Sequence, residues 1–238
     1  MGVAPALALL SAGPAAAEPR IPLSVLPGLG AGDARRLVDA DAPPWSSLGR
    51  VQTELGSRCT GTLIGPRTVL TAAHCLVAPR TGQLLRPSSV HFLLGYRQGT
   101  WKATARAASF RTGPGFDPRT RLPRGADWAV LTLDTPIAAA PLPLLEEDPA
   151  PDQPVMLGGY QQDRPEVLMA DTACRALGTA ALDGLRLIVH GCAATRGASG
   201  APLLARRPDG GWAVAGVSVA MALDVARGIA VPARALRE

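Results

Sequence analysis

Ser199 stands in GASGAP (197–202), with one glycine two residues before it and another directly after. His74 closes the apolar run VLTAAH and is followed by Cys75, while Asp127 opens DWAVLTLD, an acid at the head of an otherwise apolar stretch. These three residue types together can carry acyl transfer. A serine hydroxyl is a weak nucleophile until a base takes its proton, and the base needs an acid to hold it in the right tautomer. The oxyanion that forms then needs hydrogen-bond donors already in place. Gly197 permits a turn sharp enough for the Gly197 and Ser199 amides to face one point. Taken singly, each signal is ordinary: a histidine beside a cysteine is usually packing, and a serine between glycines is usually a turn. The other two histidines, His91 in mid-strand and His190 two residues before Cys192, read as structural or surface residues.

The elements that must position these groups are short. From Trp45 the chain runs as β-branched or apolar stretches bounded by Gly, Pro, Asp or Arg: 48–53, 59–64, 67–72, 90–96, 101–110 and 128–133. Residues 136–154 carry six prolines, too many for a helix or an inner strand, and read as a linker. Strand texture returns at 155–160, 172–180, 184–190, 201–206, 211–220 and 227–233. About six strands on each side of a proline-rich linker predict an all-β fold of two six-stranded antiparallel barrels, 45–135 and 155–238, with a cleft between them. Trp45 and Trp128 are expected in the core.

Composition narrows the functional classes. The chain has 238 residues, of which 47% are hydrophobic and 18% charged, a globular balance. Its net charge of +5 rests almost wholly on arginine, with Lys102 the only lysine. The arginines are scattered singly or in pairs such as Arg35-Arg36, without the stripe of a nucleic-acid surface, and read as solvated. The run Val3–Leu10 followed by Ala15-Ala16-Ala17 has the shape of an export signal (1–17) cleaved after Ala17, although no basic residue precedes it. Residues 18–44, rich in Pro, Gly and Asp, read as a propeptide or N-terminal arm. No later run has the length of a membrane span. Cys59, Cys75, Cys174 and Cys192 should form disulfides in an exported chain. Of three possible pairings the spacing favours the local ones, 59–75 and 174–192. Zinc is a poor alternative, because there is no C-x-x-C knuckle.

TAAHC, DWAVLTL and GASGAPL, in the order His, Asp, Ser and separated by 53 and 72 residues, resemble the chymotrypsin-like (trypsin-fold) serine proteases over about residues 45–235. CTGTLI, sixteen residues before Cys75, is similar to the partner strand of the family's histidine-loop disulfide, and GVSVA (216–220) and GIAVPA follow the family's ending. The resemblance implies Ser199 as nucleophile, His74 as general base and then acid, Asp127 as its orienting carboxylate, and Gly197 with Ser199 as oxyanion hole. It implies no cofactor or metal, protein or peptide substrates, a monomer, and a secreted or periplasmic location. An α/β-hydrolase is disfavoured, since Ala201 replaces the last glycine of G-x-S-x-G and the triad order differs.

Two alanines depart from the trypsin branch. That branch places an aspartate before the serine, where it pairs with a newly cleaved N-terminal ammonium; here the residue is Ala198, so the pattern is closer to bacterial glutamyl-endopeptidase-like members. The oxyanion loop is therefore expected to be pre-formed, braced by Cys174–Cys192. Ala193 stands where trypsin carries its pocket-base aspartate, and Ser218, Val219 and Ala220 resemble the pocket wall. With no carboxylate at the base, cleavage after Arg or Lys is not expected. Small or medium apolar P1 residues are favoured and cleavage after Glu stays open. The alternative function is a non-catalytic trypsin-fold binding protein.

Overall fold

Alternation along the strands sets which side chains meet. In Ala103–Thr112, for example, Ala105 and Ala107 are buried while Thr104 and Arg106 face outward, the two-residue period of a half-buried strand. The computed structural model describes residues 21–237 apart from 23, 24 and 31, so the export signal expected at 1–17 lies outside the described residues.

The chain begins its strands with β1 (Arg36–Leu37), β2 (Leu48–Thr53), β3 (Arg58–Gly65), β4 (Thr68–Thr71), β5 (Val90–Leu94), β6 (Ala103–Thr112) and β7 (Ala129–Leu133). Strands β2 to β7 close into an antiparallel barrel in the order β2-β3-β4-β7-β6-β5. Leu48, Leu63, Val69, Phe92 and Leu131 fill it, each fully shielded from water. Trp45 and Trp128 are buried in the same core, as expected.

The second half comprises β8 (Pro154–Gln161), β9 (Arg164–Leu182), β10 (Leu185–His190), β11 (Pro202–Arg206), β12 (Trp212–Met221) and β13 (Gly228–Pro232). Pairings run β8-β9-β10-β13-β12-β11 and return to β8, so these six strands also form a ring, with β1 added on β9. The fold is all-β and matches the expected double barrel. Strand β9 is far longer than the stretch expected at 172–180: Pro165, Glu166 and Asp171 interrupt its apolar pattern, and its pairing with β8 continues past them through register shifts at Val155/Leu157 and Gly159/Gln161.

Between the barrels, Ile137 and Leu142 donate backbone N–H groups to Pro66 and Leu63 on the first, and Leu145 donates to Val214 on the second. Of the stretch 18–44, Leu26 and Leu29 are buried against Ala193, and Arg36 and Leu37 pair with Ala170 and Met169 of β9.

Candidate active site

His74 and Asp127 are brought together by one strand register. β4 and β7 are antiparallel partners with Thr71 opposite Ala129, so the residues just after β4 and just before β7 emerge at the same barrel end. His74 sits there in a single 3-10 turn (Ala73–Leu76), and Asp127 follows another (Arg124–Ala126). One Asp127 carboxylate oxygen accepts the His74 backbone N–H at 2.8 Å and the other meets His74 Nδ1 at 2.7 Å. Asp127 is buried and the His74 ring is only slightly exposed. A carboxylate accepts only, so in the neutral imidazole this contact selects the tautomer with the proton on Nδ1 and the lone pair on Nε2. The disulfide Cys59–Cys75 ties the histidine turn to β3.

Ser199 lies between β10 and β11, and the first barrel holds it. Its carbonyl accepts the Thr60 N–H at 2.9 Å, and the Gly197 carbonyl accepts the Thr60 hydroxyl at 3.0 Å. Gly200 packs so close to Thr60, Thr71 and Ala72 that a Cβ there would lie 2.3 Å from the Thr60 carbonyl. This seats the serine loop beside the histidine loop. Among the described residues no hydrogen bond links the Ser199 hydroxyl to His74; such contacts commonly tighten only once substrate is bound.

The loop's amides divide into two sets. Thr195 donates to Gln161, Ala198 to the Thr195 carbonyl and Gly200 to the Ser218 carbonyl, whereas the Gly197 and Ser199 amides donate to no acceptor among the described residues. Gly197 holds a φ of +92°, and a Cβ there would lie 2.4 Å from the Tyr160 carbonyl oxygen, so no other residue fits without the loop shifting. Two undedicated amides two residues apart in one turn are free donors of the kind an oxyanion would need.

The trypsin-like peptidase domain profile matches residues 59–216, from the first cysteine of the histidine disulfide into β12. The chain belongs to the trypsin-like peptidase family. A curated relative, the glutamyl endopeptidase of Bacillus licheniformis, is 32% identical over 71 residues, which is 30% of this chain and 22% of that protein. Among solved structures, a Glu endopeptidase in complex with MPD matches with a TM-score of 0.72 over 87% of this chain and 94% of that one, at 19% identity, and so shares the fold. The family match covers about two thirds of this chain, whereas the chain spans less than a quarter of the curated relative's length.

In this peptidase the pocket positions read from sequence are mostly buried. Ala193 lies under Leu26 and Leu29, Ser218 and Val219 are inside β12, and Ala220 is half-buried. Ala193 N–H donates to the buried Asp171 carboxylate at 2.9 Å. Cys174–Cys192 joins β9 to the stretch that leads into Thr195. His190 is 1% exposed, its Nδ1 accepts the Cys192 N–H at 3.3 Å, and burial lowers its pKa to about 4. Cys59, His74 and Cys75 converge within 4.8 Å, but the two sulfurs are bonded to each other and offer no thiolate. No helix among the described residues is long and apolar enough to cross a membrane.

Four supporting residues escape sequence reading: Thr60, Gln161, Asp171 and Arg35. Thr60 lies in CTGTLI, but nothing there marks it as a contact to the serine loop; the other three sit in no motif, and Arg35, read with Arg36 as solvated, is 4% exposed. Their roles depend on which strands become neighbours, a property that spacing along the chain does not carry.

Proposed function

We propose that this peptidase cleaves peptide bonds through an acyl-enzyme, with Ser199, His74 and Asp127 as its triad. The Ser199 oxygen bonds to the scissile carbonyl carbon as its proton passes to His74 Nε2. The carbonyl oxygen becomes an oxyanion between the Gly197 and Ser199 amides. The C–N bond then breaks, the amine leaves with the proton from His74, and water hydrolyses the ester by the same steps with His74 again as base. Asp127 keeps the Nδ1 proton in place and supports the imidazolium that forms in between. The observation that carries this reading is the pair of undedicated amides at Gly197 and Ser199, in a loop seated beside the His74–Asp127 pair.

The reading includes a P1 preference for small or medium apolar residues rather than Arg or Lys, supported by the alanine at 193 and by the neighbouring Asp171 carboxylate being buried, with its two oxygens taken by the Ala173 and Ala193 amides. Cleavage after glutamate, suggested by the names of both relatives, is the second P1 class to test. Export as a monomer, to the periplasm or beyond, with 45–135 and 155–238 as barrels and 136–154 as linker, completes the proposal. The alanine run ahead of residue 18 and two disulfides support export.

The test is labelling by a fluorophosphonate together with a P1–P4 peptide-library profile. Wild type should label and Ser199→Ala should not. Correctly disulfide-bonded wild type that neither labels nor cleaves would overturn the triad in favour of a binding protein, and a profile dominated by Arg or Lys would overturn the P1 preference.

A further inference from the structure

Arg35 precedes β1 by one residue, in the segment whose sequence reads as an arm or propeptide, yet its guanidinium is wholly buried. It makes five hydrogen bonds. Nε and Nη2 grip the two Asp33 oxygens at 2.8 and 2.9 Å, Nη1 and Nη2 grip those of Asp163 at 2.9 and 2.8 Å, and Nη1 also reaches Gln161 Oε1 at 2.8 Å. Burial disfavours the charged form, but the bonds to Asp33 and Asp163 outweigh it and hold the arginine pKa above its ordinary value.

Gln161 is the link to the catalytic loop. It is 1% exposed, and its Oε1 accepts the Thr195 N–H at 2.7 Å in addition to Arg35 Nη1, while Nε2 faces the Met169 carbonyl at 3.4 Å. Two donors converge on one side of this amide and a carbonyl lies on the other. Turning the amide over would set its NH₂ against a guanidinium N–H and a backbone N–H, and would leave the Thr195 N–H without its acceptor. The permanent charge of Arg35 thus fixes which face Gln161 offers to Thr195.

Thr195 begins the turn whose carbonyl takes the Ala198 N–H at 3.1 Å, and that turn leaves the Gly197 and Ser199 amides undedicated. Gln162 holds the same loop twice more, through its N–H on the Arg196 carbonyl at 2.7 Å and its side chain on the Thr195 hydroxyl at 3.0 Å. Ala198 has no charge to receive an ammonium. A buried cation is nonetheless present, supplied by an interior side chain and acting from the other flank of the loop.

We propose that Arg35 is a positioning residue for the oxyanion loop, acting through Gln161 on Thr195, and that the chain from Asp33 onward is a retained part of the working enzyme. This rests on the reading of Gly197 and Ser199 as the oxyanion hole. The experiment uses the full chain, with wild-type peptide hydrolysis as its reference; loss of that reference would overturn the triad reading, whereas the variants test Arg35 alone. Arg35→Met should lower kcat about a hundredfold, the scale of a displaced catalytic donor, with KM changed less than about threefold. Arg35→Lys should recover part of the loss. Gln161→Met leaves the Arg35 ion pairs intact, so it should fold even if Arg35→Met does not, and it should show the same fall in kcat. Where both fold, the double variant should be no worse than either alone, because the two act through one contact. Mass spectrometry of the active protein should find an N-terminus at or before Asp33. Wild-type kcat in folded Gln161→Met or Arg35→Met, independent losses that multiply in the double variant, or a fully active form beginning after Arg35 would each overturn the proposal.

Discussion

Asp127 holds His74 by two separate bonds, one carboxylate oxygen on the backbone N–H and the other on Nδ1. The backbone bond fixes where the turn sits and the ring bond fixes where its proton resides. Asp127→Asn keeps the shape but presents an NH₂ to the imidazole, which favours the tautomer with Nε2 already protonated. The expected loss in kcat is on the order of 10⁴-fold with little change in thermal stability, read by steady-state kinetics beside a melting curve.

Gly197→Ala tests the oxyanion loop by geometry. The positive φ and the Tyr160 carbonyl 2.4 Å from a Cβ oblige the backbone to rotate, taking the amide with it. We expect kcat to fall by roughly 10²–10³-fold, as for loss of one oxyanion donor, with KM little altered. An alanine variant with unchanged kcat would remove Gly197 from the oxyanion hole.

The disulfide Cys59–Cys75 spans a separation of 16 residues and should contribute about 3 kcal/mol by restricting the unfolded chain. Replacing both cysteines by alanine should lower the urea midpoint accordingly. Activity should fall further than stability predicts, since His74 immediately precedes Cys75. Activity measured well below the unfolding midpoint separates the two effects.

His190 gives the fold an acid-side weakness. Burial pulls its pKa to about 4, while an unfolded histidine titrates near 6.5, so the unfolded chain binds the extra proton first. Stability is complete above about pH 6.5 and declines as pH falls towards 4, by a total on the order of 3 kcal/mol. Chemical denaturation across that range should show this slope in wild type and lose most of it in His190→Met. The Asp33 carboxyl, held below its usual range by the Arg35 hydrogen bond, acts in the same direction at lower pH.

Much of this architecture is legible along the chain because strands announce themselves locally. Runs such as LGRVQT and WAVLTL need only alternate or stay apolar to be found, and they appear at β2 and β7 within a residue of expectation. His74, Asp127 and Ser199 stand out along the chain for another reason, since each sits in a short stretch, TAAHC, DWAVLTL or GASGAPL, that resembles the family's. Arg35, Gln161 and Asp171 do not. Gln161 ends β8 and meets Thr195, 34 residues later, only because β8 lies beside both β9 and β11. Resemblance puts Ala193 at the base of the substrate pocket, and the structure adds a cover the sequence does not announce, Leu26 and Leu29 more than 160 residues upstream.

Thr60 belongs to the first barrel and holds two carbonyls of the second, those of Gly197 and Ser199, while its hydroxyl also accepts the Tyr160 N–H. One residue therefore acts as a latch between the halves. Prising the barrels apart must dismantle the serine loop in the same movement, so loss of hydrolysis should report the first parting of the halves, ahead of any signal from either barrel melting.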